Sequence, residues 1–145
     1  MKTWIIKIIV GHVIVLALIL AVLGNKFGWF TPDNEPEARL NCPVFSEGCT
    51  FNFEGQSYKV NSQAPLNANK PVQLQVEGKA KQIHASWQMQ GMEMGPNRYR
   101  LLSNDQQHWH AQTALPICTN KRQDWLLKLE IDGHRIDIST VSEKI

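Results

Sequence analysis

The sequence predicts an all-β domain, an immunoglobulin-like antiparallel β-sandwich of about seven or eight strands, preceded by one N-terminal transmembrane helix. Three observations support this fold class. The chain begins with a long uncharged apolar run, it changes to period-two alternation from Cys49 onward, and turn dipeptides separate the alternating segments. Alternation of apolar and polar residues is typical of half-buried strands. A small closed barrel is the alternative architecture.

The apolar run at Ile8–Leu23 contains no charged residue. Extended back to Trp4, it reaches about 20 residues, which suffices to cross ~30 Å of hydrocarbon as a helix. Lys2 and Lys7 favour a cytoplasmic N-terminus. We therefore expect residues 1–30 to form a signal-anchor in the inner (cytoplasmic) membrane, with the rest of the chain on the periplasmic side. A cleaved signal peptide is the competing interpretation, and it places the folded part in the same compartment.

Residues 31–41 begin with the letters TPDNEPEAR, whose prolines and acids are typical of a linker. Residues 42–145 then form the predicted sandwich. Its clearest strand is Lys81–Met89, in which Ile83, Ala85, Trp87 and Met89 alternate with polar residues. Similar alternation surrounds the aromatic and aliphatic residues at positions 51–53, 58–60, 72–76, 109–117, 125–131 and 136–138. The dipeptide Asp132-Gly133 predicts a tight hairpin between the last two strands.

The charge distribution argues against a nucleic-acid-binding protein. Residues 1–30 hold three lysines and no acid, so residues 31–145 contain 15 − 3 = 12 basic and 13 acidic residues. A domain that binds nucleic acid needs a clear basic excess on its folded part. The sequence also has no serine-hydrolase elbow, zinc-protease motif, phosphate-binding loop or dinucleotide fingerprint. We therefore expect a protein that is not an enzyme.

Three cysteines, Cys42, Cys49 and Cys118, lie in the part expected outside the cytoplasm, where disulfides form. Three pairings are possible. We favour Cys42–Cys49, because Pro43 and Gly48 predict a turn between them. Cys118 would then be a buried apolar residue, a soft metal ligand or a redox thiol.

Two short segments are candidate metal sites. Met92 and Met94 lie in a glycine-flanked turn, and closely spaced thioethers select Cu(I). His108 and His110 are two residues apart on a predicted strand, so both imidazoles project from the same face and can share a metal. The alternative is that the methionines fill space at one end of the sandwich and the histidines are solvated.

The order of motifs between Ile83 and Leu129 reads WQMQGMEMG, YRL, WHAQ, LPIC and DWLLKL. This order is similar to the YtkA-like and FixH-like group of membrane-anchored extracytoplasmic domains. The resemblance implies a role in copper handling or in the assembly of haem-copper oxidases, and it directs attention to Met92 and Met94. The sequence departs from the group at Gln90, where a histidine often precedes the Gly-Met pair.

Together, these observations predict a single-pass membrane accessory or assembly protein with a membrane-protein partner and a Cu(I) site at Met92 and Met94. A metal-free protein-interaction module of the cell envelope is the alternative, in which an exposed sheet edge accepts the partner. A thiol-redox protein that uses Cys118 is a third interpretation.

Overall fold

The computed structural model describes residues 2–26, 35–92, 94–95, 97–116 and 122–142. The chain divides into two compact units, Met1–Asn34 and Glu35–Ile145. Cys118 and residues 27–34, the last part of the first unit, lie outside the described residues.

The first unit contains one helix, α1 (Lys2–Lys26), of 25 residues. Its sequence is rich in isoleucine, leucine and valine and has no proline, which is compatible with an uninterrupted helix. The large apolar side chains described between Ile6 and Val22 are each 50–61% exposed. Within the described residues, no helix is long and apolar enough to cross a membrane.

The second unit is built from strands and one short 3-10 helix at Phe45–Glu47. The strands are β1 (Ala38–Asn41), β2 (Cys49–Phe53), β3 (Gln56–Ser62), β4 (Val72–Glu77), β5 (Ile83–Met89), β6 (Tyr99–Arg100), β7 (His108–Thr113), β8 (Asp124–Ile131) and β9 (His134–Val141). They form a five-stranded sheet of order β1-β9-β8-β5-β6 and a four-stranded sheet of order β2-β3-β4-β7. All neighbours are antiparallel except β1 and β9, which are parallel. The predicted all-β architecture of two antiparallel-rich sheets is thus confirmed.

Two strand boundaries differ from the sequence-based expectation. β1 lies inside residues 31–41, the range predicted as a linker, because Ala38 and Leu40 pack against the core while Arg39 and Asn41 face outward. The alternation predicted through residue 117 ends as a strand at Thr113. Side-chain alternation alone does not show where a strand loses its hydrogen-bonding partner. In β7 this happens after Thr113, which pairs with Val72, the first residue of β4.

The core lies between the two sheets and contains the predicted inward-facing residues. Ile83, Ala85, Trp87 and Met89 of β5 are all buried, as are Trp125, Leu127, Leu129 and Ile131 of β8. The indole Nε1 of Trp87 donates to Oγ1 of Thr113 at 2.9 Å, so a polar atom in the core is satisfied across the two sheets. Phe45 contacts the Trp87 ring edge to face, with centroids 5.7 Å apart.

The segment after β6 joins the edges of the two sheets. Tyr99 and Arg100 pair with β5. Two residues later, Leu102 exchanges two backbone hydrogen bonds with His110 of β7, each 2.9 Å long. One lateral opening of the sandwich is therefore closed by backbone pairing, which protects the β7 edge from pairing with another chain.

Two predicted local features are confirmed. Asp132 and Gly133 have φ angles of 51° and 97°, the positive values that a type I′ hairpin turn requires at both central residues. Cys42 and Cys49 form a disulfide with a Cα–Cα distance of 6.0 Å, closing the loop that contains the 3-10 helix.

Candidate functional site

The methionine-rich turn follows β5 directly. Met89 is buried, and the chain reverses at Gln90 and Gly91, where Gly91 has a φ of +71°. The backbone N–H of Met92 donates to the Met89 carbonyl at 3.2 Å. Met92 and Met94 are partly buried and pack against the core. This packing is compatible with the alternative that the two thioethers fill space, and a Cu(I) site at Met92 and Met94 stays a prediction.

Two side chains that the sequence pattern did not reveal hold this turn in place. Asn97 accepts the backbone N–H of Trp87 with Oδ1 at 2.7 Å and donates to the Trp87 carbonyl with Nδ2 at 2.8 Å. Arg122 donates to the Gln90 carbonyl at 3.0 Å and is also ion-paired with Asp124. The only sequence signal for the first contact was an asparagine in a Gly-Pro-Asn turn.

His108 and His110 lie on the outer face of the four-stranded sheet, as their spacing predicts. In the β4–β7 register, Glu77 is opposite His108 and Gln75 is opposite His110. A shallow groove of about 400 Å³ runs over this face, and its polar lining consists of Gln63, Gln73, Gln75, Glu77, His108 and His110. Its amides and imidazoles offer both donors and acceptors, so the groove can form hydrogen bonds with a neutral polar surface.

His108 is engaged by a carboxylate. Its Nδ1 lies 2.6 Å from Oδ2 of Asp105, while Oδ1 of Asp105 accepts the backbone N–H groups of Gln107 and His108. The hydrogen bond to Asp105 raises the pKa of His108. The same bond, with the backbone N–H groups, holds the pKa of Asp105 far below its usual range. The bond to Asp105 engages only Nδ1 of the ring. A carboxylate on one ring nitrogen also orients histidines that ligate a metal through the other, so the contact is compatible with both interpretations of His108.

The methionine pair and the histidine pair lie on different sheets. Met92 and Met94 follow β5 of the five-stranded sheet, whereas His108 and His110 face outward from β7 of the four-stranded sheet. No cluster of three or more histidine, cysteine, aspartate or glutamate side chains suited to a metal occurs in the described part of the chain. Cys118, the remaining predicted ligand, falls outside that part.

Comparison with known proteins finds no matching family model, curated protein or solved structure. The similarity to the YtkA-like and FixH-like group therefore remains a prediction from the sequence. The function has to be inferred from the residues of this chain.

Proposed function

We propose that this protein is a single-pass, membrane-anchored extracytoplasmic accessory protein whose β-sandwich binds a protein partner in the envelope, without metal and without catalysing a reaction. One observation carries the proposal: the large apolar side chains described along α1 are at least half exposed. Removing one aliphatic side chain from water is worth about 1.5–3 kcal/mol. A helix with so many of them is stabilised in an apolar environment, which a bilayer supplies around the whole circumference. The described residues alone contain no helix that is long and apolar enough to span, so the proposed span takes in the whole run from Trp4 to Leu23 of the sequence, about 20 residues.

The disulfide supports the extracytoplasmic location of the sandwich. Cys42–Cys49 lies within the second unit and closes a short loop. Disulfides persist in oxidising compartments and are rare in the cytosol. Lys2 and Lys7 at the start of the chain favour a cytoplasmic N-terminus for α1, which would place the sandwich on the opposite side.

An immunoglobulin-like topology is part of the proposal. In that fold, strands C, F and G are neighbours in one sheet, and strands B and E are neighbours in the other. The orders β5-β8-β9 and β4-β7 are compatible with these assignments, and Trp87 gives β5 the buried tryptophan typical of strand C. The disulfide departs from the usual B–F position, since both its cysteines precede β3.

Two observations support the metal-free form of the function. Met92 and Met94 pack against the core, and the described residues contain no cluster of three or more His, Cys, Asp or Glu side chains suited to a metal. The groove over β4 and β7, with its amide side chains, is suited to hydrogen bonding with a protein surface. Copper handling, and with it a role in oxidase assembly, is the second form of the function, and a Cu(I) titration separates the two.

Membrane extraction tests the anchor. The full chain is expected to stay in the pellet after alkaline carbonate treatment, whereas the double variant Val15→Asp/Ile19→Asp should move to the supernatant, because charged groups at a helix centre oppose insertion. The matched control is Thr50→Asp/Asn52→Asp, which adds the same charge to the exposed side of β2 and should stay in the pellet. The molecular weight of the extracted protein separates a retained anchor from a cleaved signal peptide. Release of the unaltered chain by carbonate would contradict the proposal.

A further inference from the structure

The outer face of the five-stranded sheet is unusually cationic. We call it the basic face, and its charged residues alternate with the core residues of β1, β9, β8, β5 and the segment around β6. Its cations are Arg39, Arg98, Arg100, Lys128 and Arg135, and its carboxylates are Asp124, Glu130 and Asp137. On the outer face of the other sheet, the described strands carry one lysine, Lys59, and one glutamate, Glu77. Because residues 31–145 carry 12 basic and 13 acidic residues in total, the cationic character of this face comes from an uneven distribution of charge.

The three carboxylates of the basic face are already paired. Both side-chain oxygens of Glu130 accept from Nη2 of Arg98, at 2.8 and 2.9 Å. Asp137, which is buried, accepts from two nitrogens of Arg135, at 2.8 and 2.9 Å. Asp124, at the start of β8, is ion-paired with Arg122. Each carboxylate on the face is therefore engaged by an arginine, and the described cations of the face outnumber its carboxylates.

The two arginines at the edges of the basic face are the most available cations. Arg39 lies on β1 and Arg100 on β6, the first and last strands of the sheet. Both are exposed, and neither has an ion-pair partner within the described residues. Arg100 is directly opposite His84. Burial is the main cause that lowers the pKa of His84; Arg98 and Arg100 lower it further, and Glu130 opposes them.

The cations of the basic face extend from one edge of the sheet to the other. Five strands at about 4.8 Å spacing make a sheet roughly 20 Å across, with cations at both edges. We propose that the basic face docks on the anionic phospholipid headgroups of the membrane. This inference rests on the proposed anchoring by α1. The nine peptide steps from Lys26 to Glu35 span at most about 32 Å, which keeps the sandwich at high effective concentration near the bilayer.

Vesicle binding of residues 35–145 tests the face separately from the anchor. This piece contains every buried core residue among the described residues, together with the disulfide. At low salt, it should sediment with vesicles of 30% phosphatidylglycerol in phosphatidylcholine and not with phosphatidylcholine alone. Each arginine near an anionic surface contributes about 1 kcal/mol, which is roughly fivefold in partitioning. The variant Arg39→Gln/Arg100→Gln should therefore bind about 25-fold more weakly.

The matched control is Lys70→Gln/Lys79→Gln, which removes the same charge from loops flanking β4, in the other sheet. It should bind within about twofold of the unaltered piece. An equal loss in both double variants, or equal binding to both kinds of vesicle, would overturn the docking proposal. The docking proposal would also be overturned if the piece did not bind vesicles but bound an acidic protein selectively, and if Arg39→Gln/Arg100→Gln abolished that binding. Because the piece lacks α1, absence of vesicle binding would not contradict the proposed anchoring. Release of the full chain by carbonate would contradict the anchoring and would leave the vesicle result unaffected.

Discussion

Replacing Asn97 tests whether a side chain substitutes for a strand partner at the methionine-rich turn. β6 pairs with β5 only at His84 and Ala85, so Trp87 has no strand neighbour on that side. Asn97 supplies the missing partner by bonding both the N–H and the carbonyl of Trp87, at 2.7 and 2.8 Å. Trp87 is 0% exposed, so its backbone groups have little access to water. Asn97→Ala would leave both groups without a partner.

The expected loss of stability follows from these two groups. An unsatisfied buried donor or acceptor costs about 1–3 kcal/mol. Because Asn97 is only partly buried and water can reach the space it leaves, we take the lower part of that range. Asn97→Ala should then lower the free energy of unfolding by about 2–3 kcal/mol, or the midpoint temperature by roughly 10 °C in a domain of this size.

Urea denaturation of residues 35–145, followed by tryptophan fluorescence, measures this loss. Asn97→Asp keeps the acceptor for the Trp87 N–H but removes the donor to its carbonyl, so it should also be destabilised. Asn52→Ala, on the exposed side of β2, is the control and should stay within about 0.5 kcal/mol of the unaltered protein. A change of less than about 0.5 kcal/mol for Asn97→Ala, at an unchanged denaturant slope, would refute the assigned role.

Three further predictions use other contacts. Gly78→Ala should unfold at clearly lower urea concentration, because the new Cβ would lie 2.2 Å from the Tyr58 ring at a φ of +147°, and a Gly78→Ala/Tyr58→Leu double variant should recover part of the loss. In an NMR titration, the pKa of His108 should lie above its ordinary value of 6.5. The ion pair with Asp105 should therefore stabilise the fold fully below about pH 6.5 and progressively less as the pH rises through the raised pKa. A measured pKa below 6.5 for His108 would contradict this pairing. In a Cu(I) competition titration, the metal-free proposal expects equal binding by the unaltered protein and by Met92→Leu/Met94→Leu, whereas tight one-to-one binding lost in the variant would support copper handling.

The strands could be predicted from the sequence because burial of one side of a strand imposes a period of two on its apolar residues. Trp87 and Leu127 fall on the core face simply through their place in that alternation. The hairpin at Asp132-Gly133 was equally local, since positive φ angles at both central residues favour this residue pair. The disulfide was favoured over two other pairings by the turn residues between its cysteines.

The candidate sites were less predictable because they depend on contacts between distant segments. The spacing of His108 and His110 placed both on one face, but it could not show that Asp105 engages one of them. The methionine spacing suggested ligands, and only the packed structure shows Met92 and Met94 against the core. The role of Asn97 depends on how short β6 is, which no local pattern encodes.

By itself, the sequence determined the period-two strands, the tight hairpin and the division into an apolar N-terminal segment and an alternating remainder. Each of these features depends on residues that are close together in the chain. The tertiary structure decided which strands are neighbours, and with that the composition of each outer face. Arg39, Arg100 and Lys128 are scattered along 90 residues of chain and share a face only because β1, β6 and β8 belong to one sheet. Such an excess of charge is invisible in a composition that is nearly balanced overall, since it arises from strand order and register.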